Sequence, residues 1–222
     1  MPYRITVFTE GETYHVLNRG VGGIPLFRSP KEYVRFLELI DYYRFDPSLS
    51  FSHYDRLSNE EKKNYLKVAQ DNPPLVEIYA YCLMPNHFHI LLKQQINNGI
   101  SKMLSNIQNA YVRFYNTKHL RKGTLFESMF KAIRIENDEQ FLHVSRYIHL
   151  NPSTVYLVKI EDLPSYPWSS LPEYLNKRRL IFTSSEMIIK MVGGREGYEK
   201  FVFDQAQYQR ELAEIKHLIL EN

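Results

Sequence analysis

His87 and His89 stand one residue apart in the apolar run Tyr79-Ala-Tyr-Cys-Leu-Met-Pro-Asn-His-Phe-His-Ile-Leu-Leu92. In an extended strand, side chains two apart leave by the same face, so both imidazoles emerge together while Phe88 and Ile90 take the other side. Two convergent imidazoles on a rigid strand are a ready pair of ligands for a divalent ion. The same two residues also fit a plainer role as satisfied histidines at a strand edge, because a His-x-His match is short. A second set follows about sixty residues later. From Asp138 to Leu150 the pattern is helical, with Phe141, Leu142, Val144 and Ile148 on the packed side. His143, Tyr147 and Asn151 lie four apart, along one face. A packed tyrosine with an asparagine cap accounts for these two residues in isolation. Beside the histidines they could do more. Two imidazoles and one amide oxygen leave positions open on a divalent ion for a phosphate and a water. A tyrosine hydroxyl at that place could attack phosphorus.

These residues need a scaffold, and the chain predicts one. Glu12 to Asn18 alternates as a first strand, followed by a glycine-rich loop to Pro25. Ser29-Pro30 opens a helix, Ser29 as cap and Pro30 at the first helical position. Ser58 and Glu61 form a capping-box pattern for a short helix to about Ala69, which Asp71-Asn-Pro-Pro74 breaks. Leu75 to Met84 and His87 to Lys93 read as two strands joined at Pro85-Asn86. Gly99 to Thr117 reads as a helix, Lys118 to Gly123 as a basic loop and Lys131 to Ile135 as a strand. Asn137 or Asp138 caps the next helix, which Asn151-Pro152 should end, since a residue before proline avoids the helical region. Further helices follow, the last from Arg195 to about Leu220. The order predicts an α+β fold: a ferredoxin-like antiparallel sheet with helices packed on one face, plus a helical C-terminal extension. Residues 1–152 form the expected catalytic domain, with an insertion-like linker and helix at 45–74, and 153–222 the extension.

The chain has 222 residues, 44% hydrophobic and 24% charged, the balance of an ordinary globular protein. No run reaches the length of a membrane span, and the first residues lack a signal-peptide layout, so a cytoplasmic protein with no membrane partner is expected. Cys82 is the one cysteine, which excludes an internal disulfide and a cysteine-based zinc cluster. Net charge is only +3, but from Arg113 to Arg134 six basic residues face one acid, Glu127. Such a run is either a solvated surface or a groove for phosphates. The basic loop supplies Lys118, Arg121 and Lys122 as candidate phosphate contacts. Arg113, Lys131, Arg134 and Arg146 are secondary candidates, and Asn18 and Arg19 could touch DNA or tie the turn after the first strand.

Several segments together resemble the single-tyrosine HUH transposases of the IS200-like family, most closely the REP-associated tyrosine transposases. They are Tyr14-His-Val-Leu-Asn-Arg-Gly20, Met84-Pro-Asn-His-Phe-His89, Gly123-Thr-Leu-Phe126, Phe130-Lys131, Arg146-Tyr-Ile-His-Leu-Asn-Pro152 and Tyr166-Pro-Trp-Ser-Ser170, in the family's order. Phe45 to Asn72 looks longer than the family's usual link between first helix and second strand. The resemblance implies His87 and His89 as the histidine pair, Tyr147 as the nucleophile and Asn151 as the third metal ligand. It implies metal-dependent nicking and strand transfer on single-stranded or hairpin DNA, through a 5′-phosphotyrosine link, by a monomer or homodimer. Mg²⁺ or Mn²⁺ suits the nitrogen and oxygen ligands better than zinc. A domesticated relative that binds hairpin DNA without cutting it is the alternative.

Overall fold

The structure, a computed structural model, describes residues 7–179 and 182–204. The first strand β1 (Thr13–Arg19) is followed by a 3₁₀ turn at Val21–Gly23. Helix α1 (Pro30–Tyr43) starts as its sequence predicts: Ser29 and Glu32 cap reciprocally and Pro30 opens the first turn. A four-residue helix α2 (Phe51–Tyr54), which the sequence pattern does not reveal, precedes α3 (Asn59–Gln70), capped by Ser58 and Glu61. Strands β2 (Val76–Met84) and β3 (His87–Gln94) are joined by the two-residue turn at Pro85–Asn86. Helix α4 (Gly99–Lys118), strand β4 (Lys131–Arg134) and helix α5 (Asp138–Thr154) follow, then a 3₁₀ segment Ile160–Ser165. Helices α6 (Leu171–Tyr174), α7 (Glu186–Met191) and α8 (Arg195–Phe203) complete the described chain. The expected run of the last helix to Leu220 lies outside the described residues beyond Asp204.

The four strands lie in the order β2-β3-β1-β4. β1 and β4 run antiparallel, with Tyr14 opposite Arg134 and Leu17 opposite Lys131. This order, in an antiparallel sheet with helices, is the ferredoxin-like α+β arrangement that the pattern of elements predicts.

The chain divides into two compact units. The first takes the chain up to Glu77, then Pro85–His87 and Leu92–Arg134. Its core is aromatic. Phe36 meets Phe27 and Tyr111 edge-on at 5.2 and 5.0 Å, and the Tyr111 hydroxyl donates to the Leu26 carbonyl at 2.6 Å. Glu32 is fully buried there and accepts from Lys118 at 2.5 Å and pairs with His119 at 2.8 Å. A Cβ at Gly20 would fall 2.0 Å from the Ile24 carbonyl oxygen, so the turn after β1 closes only with glycine there.

The second unit takes Ile78–Met84, Phe88–Leu91 and the chain from Ile135 onward. Its core joins Tyr79, Cys82, Met84 and Leu91 to Phe141 and Ile148 of α5 and Tyr198 of α8. β2 is the edge strand of the sheet, and the segment after α5 closes that edge. Cys82 bridges Ser169 in antiparallel fashion, and Ile78 bridges Thr183 in parallel. Leu83 N–H donates to the Trp168 carbonyl at 2.8 Å, Ser170 N–H to Tyr81 at 3.0 Å and Ser184 N–H to Ile78 at 2.8 Å. An open edge offers a row of unpaired backbone groups, and here side chains fill in where the backbone does not. The Tyr166 hydroxyl donates to Leu83 O and the Tyr174 hydroxyl to Tyr79 O, both at 2.8 Å.

Candidate active site

His87 opens β3, directly after the turn. Its Nδ1 lies 2.7 Å from Asn86 Oδ1. That amide oxygen can only accept, so Nδ1 carries the proton and Nε2 keeps its lone pair. Burial, with the Arg19 guanidinium as a lesser cause, lowers the His87 pKa from 6.5 to about 4. The imidazole is therefore neutral at pH 7, the form a metal needs. A carbonyl-type acceptor on one ring nitrogen is also the usual outer support of a histidine ligand.

In the second unit, His89 is buried and its ring meets the Tyr147 ring edge to face, with centroids 5.7 Å apart at 90°. Tyr147 is 41% exposed, on a helix whose Ile148, His149, Leu150 and Asn151 are buried. Asn151 Nδ2 donates to the Tyr147 carbonyl at 3.4 Å, a bond that does not use its amide oxygen. The oxygen is the atom able to ligate a hard cation.

α5 does not end at Asn151-Pro152, as the proline rule predicts, but continues to Thr154 with Pro152 inside. A proline costs its N–H and crowds the preceding turn. Only two helical residues follow it here, and Asn151, Pro152 and Ser153 are buried, so packing offsets a small loss. Asn151 is thus held in a helical turn, not at a fraying end.

The support for α5 comes from residues that the sequence pattern does not single out. His149 is fully buried. Its Nδ1 pairs with the Tyr198 hydroxyl at 2.8 Å and its Nε2 with Ser170 Oγ at 2.7 Å. Burial lowers its pKa to about 3. These partners lie 21 and 49 residues away, too far for a local pattern to show. His143 Nδ1 accepts from Arg146 Nη2 at 2.9 Å.

The candidate DNA contacts divide by exposure. Arg146 is buried, donates to the Phe201 carbonyl at 3.3 Å and covers the Phe201 ring at 4.3 Å. Asn18 is buried too, donating to Gln108 Oε1 at 3.0 Å and to the Glu127 carbonyl, while its own oxygen accepts from Arg19 N–H. Arg121 ties its loop through the Thr124 carbonyl and Asn116 Oδ1. Lys118 is held by Glu32 and Ser29, and Arg134 by Glu12 at 2.8 Å. Arg19, half exposed, lies 3.7 Å from Glu127. Arg113, Lys122 and Lys131 are exposed.

Among the described residues no three His, Cys, Asp or Glu side chains cluster as a metal site. Among the same residues no helix is long and apolar enough to cross a membrane.

Residues 54–151 match the family model described as "Transposase IS200 like", a span that includes both histidines, Tyr147 and Asn151. No curated protein matches the chain. Among solved structures, the REP-associated tyrosine transposase bound to a REP hairpin is similar with a TM-score of 0.56 and 16% identity. The match covers 80% of this chain and 87% of that one. A candidate transposase from Deinococcus radiodurans R1 is 13% identical over 67% of this chain and 95% of its own, with a TM-score of 0.36. By sequence over residues 54–151 and by fold over most of its described length, the chain resembles the IS200-like transposases and, among them, the REP-associated tyrosine transposase.

Proposed function

We propose that the chain is a DNA strand-transfer enzyme that nicks single-stranded or hairpin DNA with Tyr147 as nucleophile. The observation that carries this is the edge-on contact of Tyr147 with His89 in one unit, with Asn151 one turn further along the same helix. An exposed phenol beside a buried imidazole, on a helix anchored by its other face, is a nucleophile fixed in place rather than a packing tyrosine. The bound hairpin of the similar transposase supports hairpin DNA as the substrate class.

His87, His89 and Asn151 fit a divalent ion, Mg²⁺ or Mn²⁺: two neutral imidazoles and one amide oxygen, with no thiolate. Such an ion, when bound, would polarise a phosphate and offset charge that develops on it. The chain's own groups do the rest. Asn86 fixes the His87 tautomer. The His149 bonds to Tyr198 and Ser170 hold α5, and so hold Tyr147 in position. The Tyr147 oxygen forms a bond to phosphorus as the phosphorus–O3′ bond breaks. The phenol proton is lost to solvent or a base, and the 3′-oxygen takes one up. The products are a 5′-phosphotyrosine and a free 3′-hydroxyl. Attack by another 3′-hydroxyl reverses the step and joins strands without a nucleotide cofactor. Arg19, Lys122 and Lys131 are the exposed cations proposed to follow the DNA backbone.

The test is incubation with a pool of labelled hairpin DNA and Mn²⁺, followed by denaturing electrophoresis. A covalent protein–DNA band that is lost in Tyr147→Phe supports the reading. Binding with no covalent band under any divalent ion supports the alternative, a hairpin-binding protein that does not cut.

A further inference from the structure

α1, the stretch from Pro47 to Asp55 and α4 enclose a cavity of about 830 Å³ within the first unit. The stretch that closes it belongs to the link that looks longer than usual for the family. The volume lies in the range of small-molecule sites. Its floor is flat. The Arg35 guanidinium lies 4.9 Å from the Phe51 ring centre and 5.3 Å from that of Phe114. Arg35 is held there by Asp55 at 3.0 Å and Glu38 at 3.5 Å, so its charge is largely matched. The wall is one face of α4. Asn106, Asn109 and Arg113 recur at helical spacing along it, and all three line the cavity. Asn109 has only a long bond, 3.4 Å, to Ser105. Arg113 is exposed and forms no ion pair among the described residues. The opposite side of α4 is the buried one, with Met103, Ile107, Tyr111 and Tyr115, so the polar face is not required for folding.

We infer that this cavity takes one unpaired nucleotide of single-stranded DNA. The base lies against the Arg35 guanidinium and the Phe114 ring, its edge meets the amides of Asn106 and Asn109, and its phosphate meets Arg113. Each part answers a part of the ligand. Stacking on aromatic and guanidinium planes suits any base. A carboxamide carries a donor and an acceptor side by side, which pairs with a base edge that is not already paired. A cation without a partner suits a phosphate. A base in a duplex shows neither its face nor its full edge, so the ligand is a nucleotide outside the stem. This inference rests on the chain acting on hairpin DNA and adds where its single-stranded flank docks.

The experiment uses the full chain and two labelled hairpins with one stem, the first with single-stranded tails and the second without. Affinity is read by fluorescence anisotropy, for the wild type, the double variant Asn106→Ala/Asn109→Ala and Arg113→Gln. The expected result is about tenfold weaker binding of the tailed hairpin by both variants, the scale of one lost base-edge or phosphate interaction. The tailless hairpin should bind all three proteins equally, with unchanged thermal unfolding. In the tailed series, 5-iodouracil placed at successive tail positions should cross-link at one position to the peptide containing Phe114. Equal losses on both hairpins would make these residues general backbone contacts and overturn the inference. So would unchanged binding of the tailed hairpin, while wild-type hairpin binding would leave the proposed function standing. Failure of the wild type to bind either hairpin would instead sink the proposed function. Free deoxynucleoside 5′-monophosphates at micromolar concentration should not displace the tailed hairpin; displacement would assign the cavity to a free nucleotide and overturn its assignment to DNA.

Discussion

Tyr147 has competitors in the sequence, and their surroundings separate them. Tyr111 and Tyr115 are fully buried, with hydroxyls donating to the carbonyls of Leu26 and Pro25. Burial raises the Tyr111 pKa, which keeps that phenol protonated and unreactive. Tyr147 is the one of the three with an open face. Tyr147→Phe keeps the ring that meets His89, so its stability should stay within about 0.5 kcal/mol of wild type. It should bind hairpin DNA and give no covalent band; an adduct mapped by mass spectrometry to any other tyrosine would sink the assignment. His89→Ala should abolish metal-dependent cleavage while hairpin binding persists, read by cleavage and anisotropy side by side. The strand that carries His87 and His89 and the helix that carries Tyr147 and Asn151 are legible because each rests on a local periodicity. The roles of Asn18 and Arg146 are not, because a charge or amide in a string of letters does not reveal whether its partner is DNA or the chain's own backbone. Asn18 bonds residues 90 and 109 positions away.

Elements defined by local chemistry are readable in the sequence. The capping boxes at Ser29 and Ser58, the hairpin at Pro85-Asn86 and the start of α5 at Asn137 all rest on neighbours within a few residues. The continuation of α5 through Pro152 is not readable, because tertiary burial overrides the local penalty. The closure of the β2 edge is not readable either, because its contacts are long-range. Glu173 is the joint of that closure. Nearly fully buried, it accepts from Tyr81 and Arg178 on one oxygen, at 2.8 and 2.7 Å, and from Thr183 on the other at 2.6 Å. Replacing Glu173 with alanine takes the acceptor from the buried Tyr81 and Thr183 hydroxyls and the carboxylate from Arg178, whose guanidinium keeps the Pro167 and Ser169 carbonyls. Urea titration should show a loss of about 3–5 kcal/mol. A loss below about 1 kcal/mol would mean that the backbone bridges alone hold the edge.

At the scale of the whole molecule, the fold stores neutral histidines. Burial lowers the pKa of His15 to about 4, of His149 to about 3 and, together with Arg19, of His87 to about 4. The unfolded chain takes up these protons near pH 6.5, while the folded chain does not until near pH 4 or below. Between those limits the unfolded state binds more protons, so stability falls as pH falls. Each group contributes a slope of up to about 1.4 kcal/mol per pH unit. Glu32 acts further down. Burial raises its pKa, but bonds from Lys118, Arg28 N–H and His119 outweigh that and leave it below 4.5. Its contribution is present above 4.5 and is lost as pH falls through the lowered value. Chemical unfolding without divalent ions should therefore give falling stability from pH 6.5 downward. A flat profile between pH 6.5 and 4.5 would contradict the buried neutral histidines. Exposed cations such as Arg19, Lys122 and Lys131 predict a second whole-molecule property, hairpin affinity that weakens steeply with salt. A salt-independent affinity would remove phosphate contact as its source.

The late closure of the β2 edge has a consequence for the order in which this protein is made. Tyr81 leaves the ribosome well before Ser170, which lies 89 residues further along. At about 5–20 residues per second, the strand waits roughly 4 to 18 s for the segment that covers it. During that interval a nascent chain carries a largely apolar strand with an unpaired outer side, the template on which other chains add. A synthesis stalled before Tyr166 should therefore yield an aggregating product and not a smaller folded protein. Holdase chaperones should engage this polypeptide between the emergence of β2 and that of α6, which ribosome-bound chains of graded length would reveal.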